Sequence, residues 1–173
     1  MKLLQNLHNC DLYTFDWCLR RRHLQQLTRA SREVSRTADG HLYAIALLLL
    51  LLFKQYQWAW VVLTAFAIER TCYFFMKSHF RRNRPPAAIP GFTSIVQPSD
   101  QFSFPSGHSS AAFLCTALAV AAIPALGWLL YPWAVAVAIS RVLLGVHFPT
   151  DTLAGAALGH SVASLVLLYM GVA

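Results

Sequence analysis

The chain has 173 residues, of which 57% are hydrophobic and only 12% charged, with a net charge of +7. That length is one domain. Long apolar runs with so few charges exclude a soluble helical bundle, whose helices carry a polar face at helical period. Nucleic-acid binding is excluded too, because the cations cluster beside the apolar runs, where anionic lipid headgroups and phosphate-bearing substrates are the fitting partners.

Residues 1–40 form a basic amphipathic lead-in. Leu12, Phe15, Leu19, Leu24 and Leu27 recur at rough helical spacing, with Arg20, Arg21, Arg22, Arg29, Arg32 and Arg36 among them. This pattern predicts one or two helices lying in the membrane interface, arginines toward headgroups. There is no short apolar core or small-residue cleavage site, so no secretory leader is expected. Asp39-Gly40 punctuates the chain before residues 41–173, the integral membrane domain.

Within that domain hydropathy predicts five spans, at 41–55, 57–77, 108–123, 126–141 and 151–172. Each approaches the ~20 apolar residues that a helix needs to cross a bilayer core. Pro124 and Gly127 mark the turn between the third and fourth spans, and 78–106 is one long, proline-rich hydrophilic loop. Successive crossings reverse direction. The end of the second span, the start of the third, the end of the fourth and the start of the fifth therefore fall on one face, and those four ends carry the polar motifs. The fold class is all-α, a polytopic transmembrane bundle of about five spans, or six helices with an interfacial N-terminal one.

The first motif is Lys77 and Arg84, seven apart, followed by Pro85 and Pro86. If the second span continues as a helix, both cations project from one face until the prolines end it. Two converging cations suit a phosphate, and Arg adds a bidentate grip. Arg70 lies seven residues further back, deeper in the membrane, with Glu69 as a counter-ion for it or for Lys77. Arg81 and Arg82 read as anchors of the helix end among headgroups.

In the second motif, Pro105-Ser106-Gly107-His108, a glycine lets backbone approach a ligand, and a helix start offers free N–H groups to an anion. The Ser106 hydroxyl can donate to the same anion, and His108 is placed to hand a proton to a departing alkoxide. The third motif is Ser140-Arg141, then His147, then Asp151. Arg141 can serve as a third phosphate ligand. A carboxylate on one imidazole nitrogen of His147 fixes the tautomer and leaves the other nitrogen free to attack.

The three motifs together resemble the signature of the type 2 phosphatidic acid phosphatase family, with all eleven signature positions matching in order. The resemblance implies the fold shared with vanadium-dependent haloperoxidases. It makes His147 the nucleophile, oriented by Asp151, with His108 protonating the leaving group and later helping to activate water. Lys77, Arg84, Ser106, Gly107 and Arg141 would cradle the phosphoryl oxygens. No cofactor is implied and no metal is expected, since the histidines, carboxylates and scattered cysteines (Cys10, Cys18, Cys72, Cys115) show no ligand spacing. Larger family members place the first motif after a third span, whereas here it follows the second.

The expected reaction is hydrolysis of a lipid phosphate monoester or diphosphate at the membrane surface: a polyprenyl diphosphate or phosphate, phosphatidic acid, or phosphatidylglycerol phosphate. A lipid phosphotransferase and a non-catalytic phospholipid-binding protein are the alternatives, and the intact His147, Asp151 and His108 argue against the second. The expected location is the inner cell membrane. The lead-in shares a face with the motifs and the other face carries only Lys54 in its loops, so the positive-inside rule points the site toward the cytoplasm.

Overall fold

The computed structural model describes residues 2–20, 24–98 and 100–172; Arg21 and Arg22 of the basic lead-in lie outside them. The elements are α1 (Lys2–Leu19), α2 (Leu24–Arg36), α3 (Gly40–Leu52), α4 (Tyr56–Phe80), a short α5 (Pro85–Ala88), α6 (Gly107–Ala122), α7 (Gly127–Leu143) and α8 (Pro149–Met170). No strand occurs among the described residues, and the five expected spans coincide with α3, α4, α6, α7 and α8 to within a few residues. Four stretches are long and apolar enough to cross a bilayer: Gln25–Leu52, Tyr56–Phe80, Pro124–Leu143 and Pro149–Met170. Gly107–Ala122 is a shorter apolar helix. The first of these stretches joins α2 to α3 through an extended Asp39 (φ −74°, ψ 147°), and α3 by itself rises only about 20 Å.

Helices α6 and α8 form the centre of the bundle, and two glycines set their distance. A Cβ on Gly155 would lie 2.4 Å from the Ser106 carbonyl oxygen, and one on Gly159 would lie 2.0 Å from that of Ser110. Small residues four apart on one helix face let the two backbones touch, a packing mode suited to a medium with no hydrophobic drive between helices. Around this contact Val61 and Ala65 of α4, Leu114 and Leu118 of α6, and Val162, Ala163 and Val166 of α8 make the main core. The outer surface is apolar where lipid is to be met: Leu48, Trp60, Phe75, Leu129, Leu165 and Leu168 are all exposed.

The two N-terminal helices put a buried face against the bundle. Phe15 of α1 is buried and packs edge-on against Phe92 and Phe148 at ring-centroid distances of 5.2 and 5.5 Å. Ser31 and Ser35 of α2 are buried, and just beyond that helix Thr37 accepts a hydrogen bond from the indole of Trp133 on α7 at 2.8 Å.

Candidate active site

The end of α4, the start of α6, the end of α7 and the start of α8 do meet, around a cavity of about 420 Å³. Its polar end is formed by Arg70, Tyr73, Arg84, Asp100, Gly107, His108, Arg141 and His147. Its other end runs between α3 and α4 and is apolar, lined by Tyr43, Ala44, Leu47, Val62, Leu63 and Phe66. Of the eight residues singled out from sequence, Arg84, Gly107, His108, Arg141 and His147 line the cavity directly. Lys77, Ser106 and Asp151 are buried around it.

Helix α4 does not carry Arg84 as the spacing predicts. It ends at Phe80, capped by Arg81 in a left-handed conformation (φ 45°), and Arg84 is extended (φ −74°, ψ 158°). The left-handed Arg81 stops the helix, and Arg84, as the residue preceding Pro85, is itself driven from the helical region. Arg84 nonetheless enters the site. Its Nη1 donates to the Val146 carbonyl at 2.7 Å and lies 3.2 Å from His147 Nε2. Since a guanidinium can only donate, that contact makes Nε2 the acceptor and puts the ring proton on Nδ1. Nδ1 faces the Asp151 carboxylate at 3.7 Å, longer than a hydrogen bond. Burial pushes His147 down to about 4, so the ring is neutral at pH 7.

A residue that sequence reasoning missed joins the first motif together. Asp100, in the loop before Pro105, accepts from Lys77 Nζ at 2.6 Å and from Arg84 Nη2 at 2.5 Å, while its carbonyl accepts from Arg84 Nε at 2.9 Å. Tyr73 donates to the same carboxylate at 3.1 Å and accepts from Lys77. Burial raises the Asp100 carboxyl, but the hydrogen bonds from Lys77 and Arg84 and their charges outweigh it and hold it at about 2. A lone aspartate in a hydrophilic loop has no spacing to mark it.

At the start of α6 the Ser106 hydroxyl is fully buried and acts as N-cap, accepting from the Ser109 hydroxyl at 3.0 Å, rather than lining the cavity. His108 Nε2 lies 3.1 Å from Asp39, the residue just before α3. Arg141 donates to Ser35 at 2.6 Å, and its Nε is buried with no partner among the described residues. Glu69 is fully buried and pairs with Arg70 rather than Lys77, at 2.5 Å.

Arg82, expected to anchor among headgroups, points inward instead. It donates to Asp151 Oδ1 and the Thr150 hydroxyl, both at 2.7 Å, and to Asp11 at 2.6 Å, with its guanidinium over the Phe148 ring. Asp151 also accepts from the Phe148 amide at 2.8 Å, closing the N-terminus of α8. Arg82→Gln leaves two buried carboxylates without their cation. We expect it to lower stability by about 3 kcal/mol, read as thermal unfolding in detergent, with Arg82→Lys restoring only part because lysine cannot fork between Asp11 and Asp151.

Among the described residues no group of three His, Cys, Asp or Glu side chains converges to hold a metal. Comparison with solved structures gives a TM-score of 0.81 to LpxE from Aquifex aeolicus, at 23% identity and covering 91% of this chain and 94% of that one. The transmembrane PAP2-type phosphatidylglycerolphosphate phosphatase of Bacillus subtilis gives 0.78 at 26% identity, covering 95% of this chain and 86% of that one. Among curated proteins, the chain is 35% identical over 95 residues to the bacitracin transport permease protein BcrC of Bacillus licheniformis, covering 55% of this chain and 47% of the relative. It is 37% identical over 93 residues to the decaprenylphosphoryl-5-phosphoribose phosphatase of Mycobacterium tuberculosis, covering 53% of this chain and 49% of the relative. The chain thus aligns with about half the length of each of these two. The family model described as "PAP2 superfamily" matches residues 40–173, from the start of α3 through all three motifs, and the chain belongs to that superfamily.

Proposed function

We propose that this chain hydrolyses the phosphate ester of a membrane lipid through a phosphohistidine on His147. The observation that carries the reading is the two-ended cavity: a neutral imidazole with its Nε2 among cations at one end, and an apolar groove between α3 and α4 at the other. The names of two relatives, a decaprenylphosphoryl-5-phosphoribose phosphatase and a phosphatidylglycerolphosphate phosphatase, support a lipid carrying a phosphate.

In this mechanism the phosphoryl group sits against Arg84, Arg141 and the first amides of α6, whose N–H groups and dipole favour an anion. His147 Nε2 attacks phosphorus in line; the N–P bond forms as the bond to the lipid oxygen breaks. His108 gives that oxygen its proton, and the lipid alcohol or lipid monophosphate leaves along the groove. His108 then takes a proton from water, which attacks phosphorus, frees inorganic phosphate and restores His147. Asp151 holds the ring by facing Nδ1 and balances the positive charge that the ring acquires. An acid in one step and a base in the next give a bell-shaped pH profile. The basic lead-in lies on the site's side of the membrane, so the site faces the cytoplasm by the positive-inside rule.

The experiment is release of inorganic phosphate by the purified chain from a panel of phosphatidic acid, phosphatidylglycerol phosphate and a polyprenyl diphosphate; no release from any of them overturns the reading. Asp100 adds a prediction. Its carboxylate occupies donors of Lys77 and Arg84 that a phosphate would use, and an anion so placed opposes the substrate's charge. Asp100→Asn is expected to lower the KM and strengthen inhibition by inorganic phosphate, each by about tenfold for one charge contact. Loss of turnover with no gain in phosphate affinity would show instead that Asp100 holds the cations in position.

A further inference from the structure

Arg70 is the cation in the cavity that the mechanism leaves unused. It is not a stray headgroup anchor. It sits on α4 two turns before Lys77, about 10 Å along the helix axis, and its side chain is 37% exposed. Its fork is fixed from behind. Nε and Nη2 donate to the fully buried Glu69 at 2.5 and 2.6 Å, and Glu69 in turn accepts from the Ser110 hydroxyl at 2.5 Å. The guanidinium lies over the Tyr73 ring, 4.3 Å from its centroid. Nη1 makes no hydrogen bond among the described residues, and the residue lines the cavity.

Along α4 the cavity wall reads Val62, Leu63, Phe66, Arg70, Tyr73, in that order from the apolar groove toward the reacting end. Arg70 thus stands at the boundary, between the place of the tail and the place of the reacting phosphate. In the proposed mechanism Arg84, Arg141 and the first amides of α6 already hold the terminal phosphate. A further guanidinium, braced by a buried carboxylate and placed one step toward the tail, fits a second anionic group of the same substrate.

We infer that Arg70 binds a second phosphate lying between the reacting phosphate and the tail, so that the preferred substrates are lipid diphosphates or lipids with a phosphodiester in that position, over simple lipid monophosphates. This rests on the proposed phosphatase activity and narrows its substrate class. The two sources of the second phosphate share one chemistry and are separated by matched pairs: farnesyl diphosphate against farnesyl phosphate, and phosphatidylglycerol phosphate against phosphatidic acid of the same acyl chains.

The test is kcat/KM of the purified full chain on all four lipids in mixed micelles. The wild type is expected to favour the doubly phosphorylated member of at least one pair by about tenfold or more, the worth of one charge-assisted contact. Arg70→Gln should lower kcat/KM on that member by a similar factor, through KM, and change the monophosphate less than about threefold. Arg70→Lys, which keeps the charge and a partner for Glu69, should retain part of the preference. A wild type with no preference in either pair overturns the inference whatever the variants do. So does equal loss on both members in folded Arg70→Gln, which would reduce Arg70 to a partner for Glu69. If no lipid of the four is hydrolysed, the phosphatase reading itself has failed, a distinct result.

Discussion

His147→Ala is expected to abolish phosphate release, with a fall of about 10³-fold or more in kcat, because the attacking atom is removed. Substrate affinity should change little, since Arg84, Arg141 and the α6 amides remain. Wild-type protein quenched at alkaline pH during turnover of a phosphate-labelled lipid should carry the label on the chain, and the variant should carry none. Near-normal turnover in the variant would rule out the phosphohistidine. The pH dependence carries a sign. Burial lowers His147 to about 4, so its neutral, nucleophilic form persists as pH falls from 7 and is lost only on approach to that value. An acid limb well above pH 4 would therefore belong to another group.

Adding one methyl group at Gly155 or Gly159 is expected to be the most damaging change outside the polar cluster. Each Cβ would meet a backbone carbonyl of α6, at 2.4 and 2.0 Å, and no flexible side chain can give way. The helices must separate, at a cost of about 3 kcal/mol for each alanine. The two differ in what else they disturb. Gly155 touches the Ser106 carbonyl at the start of α6, and the Ser106 amide donates to the Asp151 carbonyl at 2.9 Å. Gly155→Ala should therefore reduce turnover as well as thermal stability, by shifting the anion-facing start of α6 relative to His147 and Asp151. Gly159→Ala, one turn deeper, should lower stability with a smaller effect on turnover per folded molecule. Thermal unfolding in detergent alongside phosphate release separates the two, and alanine tolerated at both positions would show that α6 and α8 can re-space freely.

The spans were legible because hydropathy is a sum over many residues and tolerates an error of a few at each boundary. Their alternation was enough to predict which four helix ends share a face. Side chains that act through a distant partner were not legible. Asp39 and Asp100 sit in links with no periodic pattern, yet the first faces His108 and the second lies between Lys77 and Arg84. Arg81 and Arg82 look alike in sequence. Arg81 stays at the helix end, bonded to the Ser78 carbonyl, and Arg82 turns inward to two buried carboxylates. The left-handed residue at 81 separates their directions, and no property of an arginine pair announces it.

What the sequence determined by itself was the set of chemical groups and the side of the bundle on which they gather, since both follow from residue type, spacing and the length of apolar runs. Tertiary structure alone decided which groups pair. Hydrogen bonds and ion pairs act over about 3 Å, and at that range the outcome depends on where a helix stops, how a loop folds back and how closely two backbones approach. So Arg84 reaches His147 from a loop rather than a helix, Ser106 caps α6 instead of lining the cavity, and the N-terminal Asp11 supports Asp151 through Arg82.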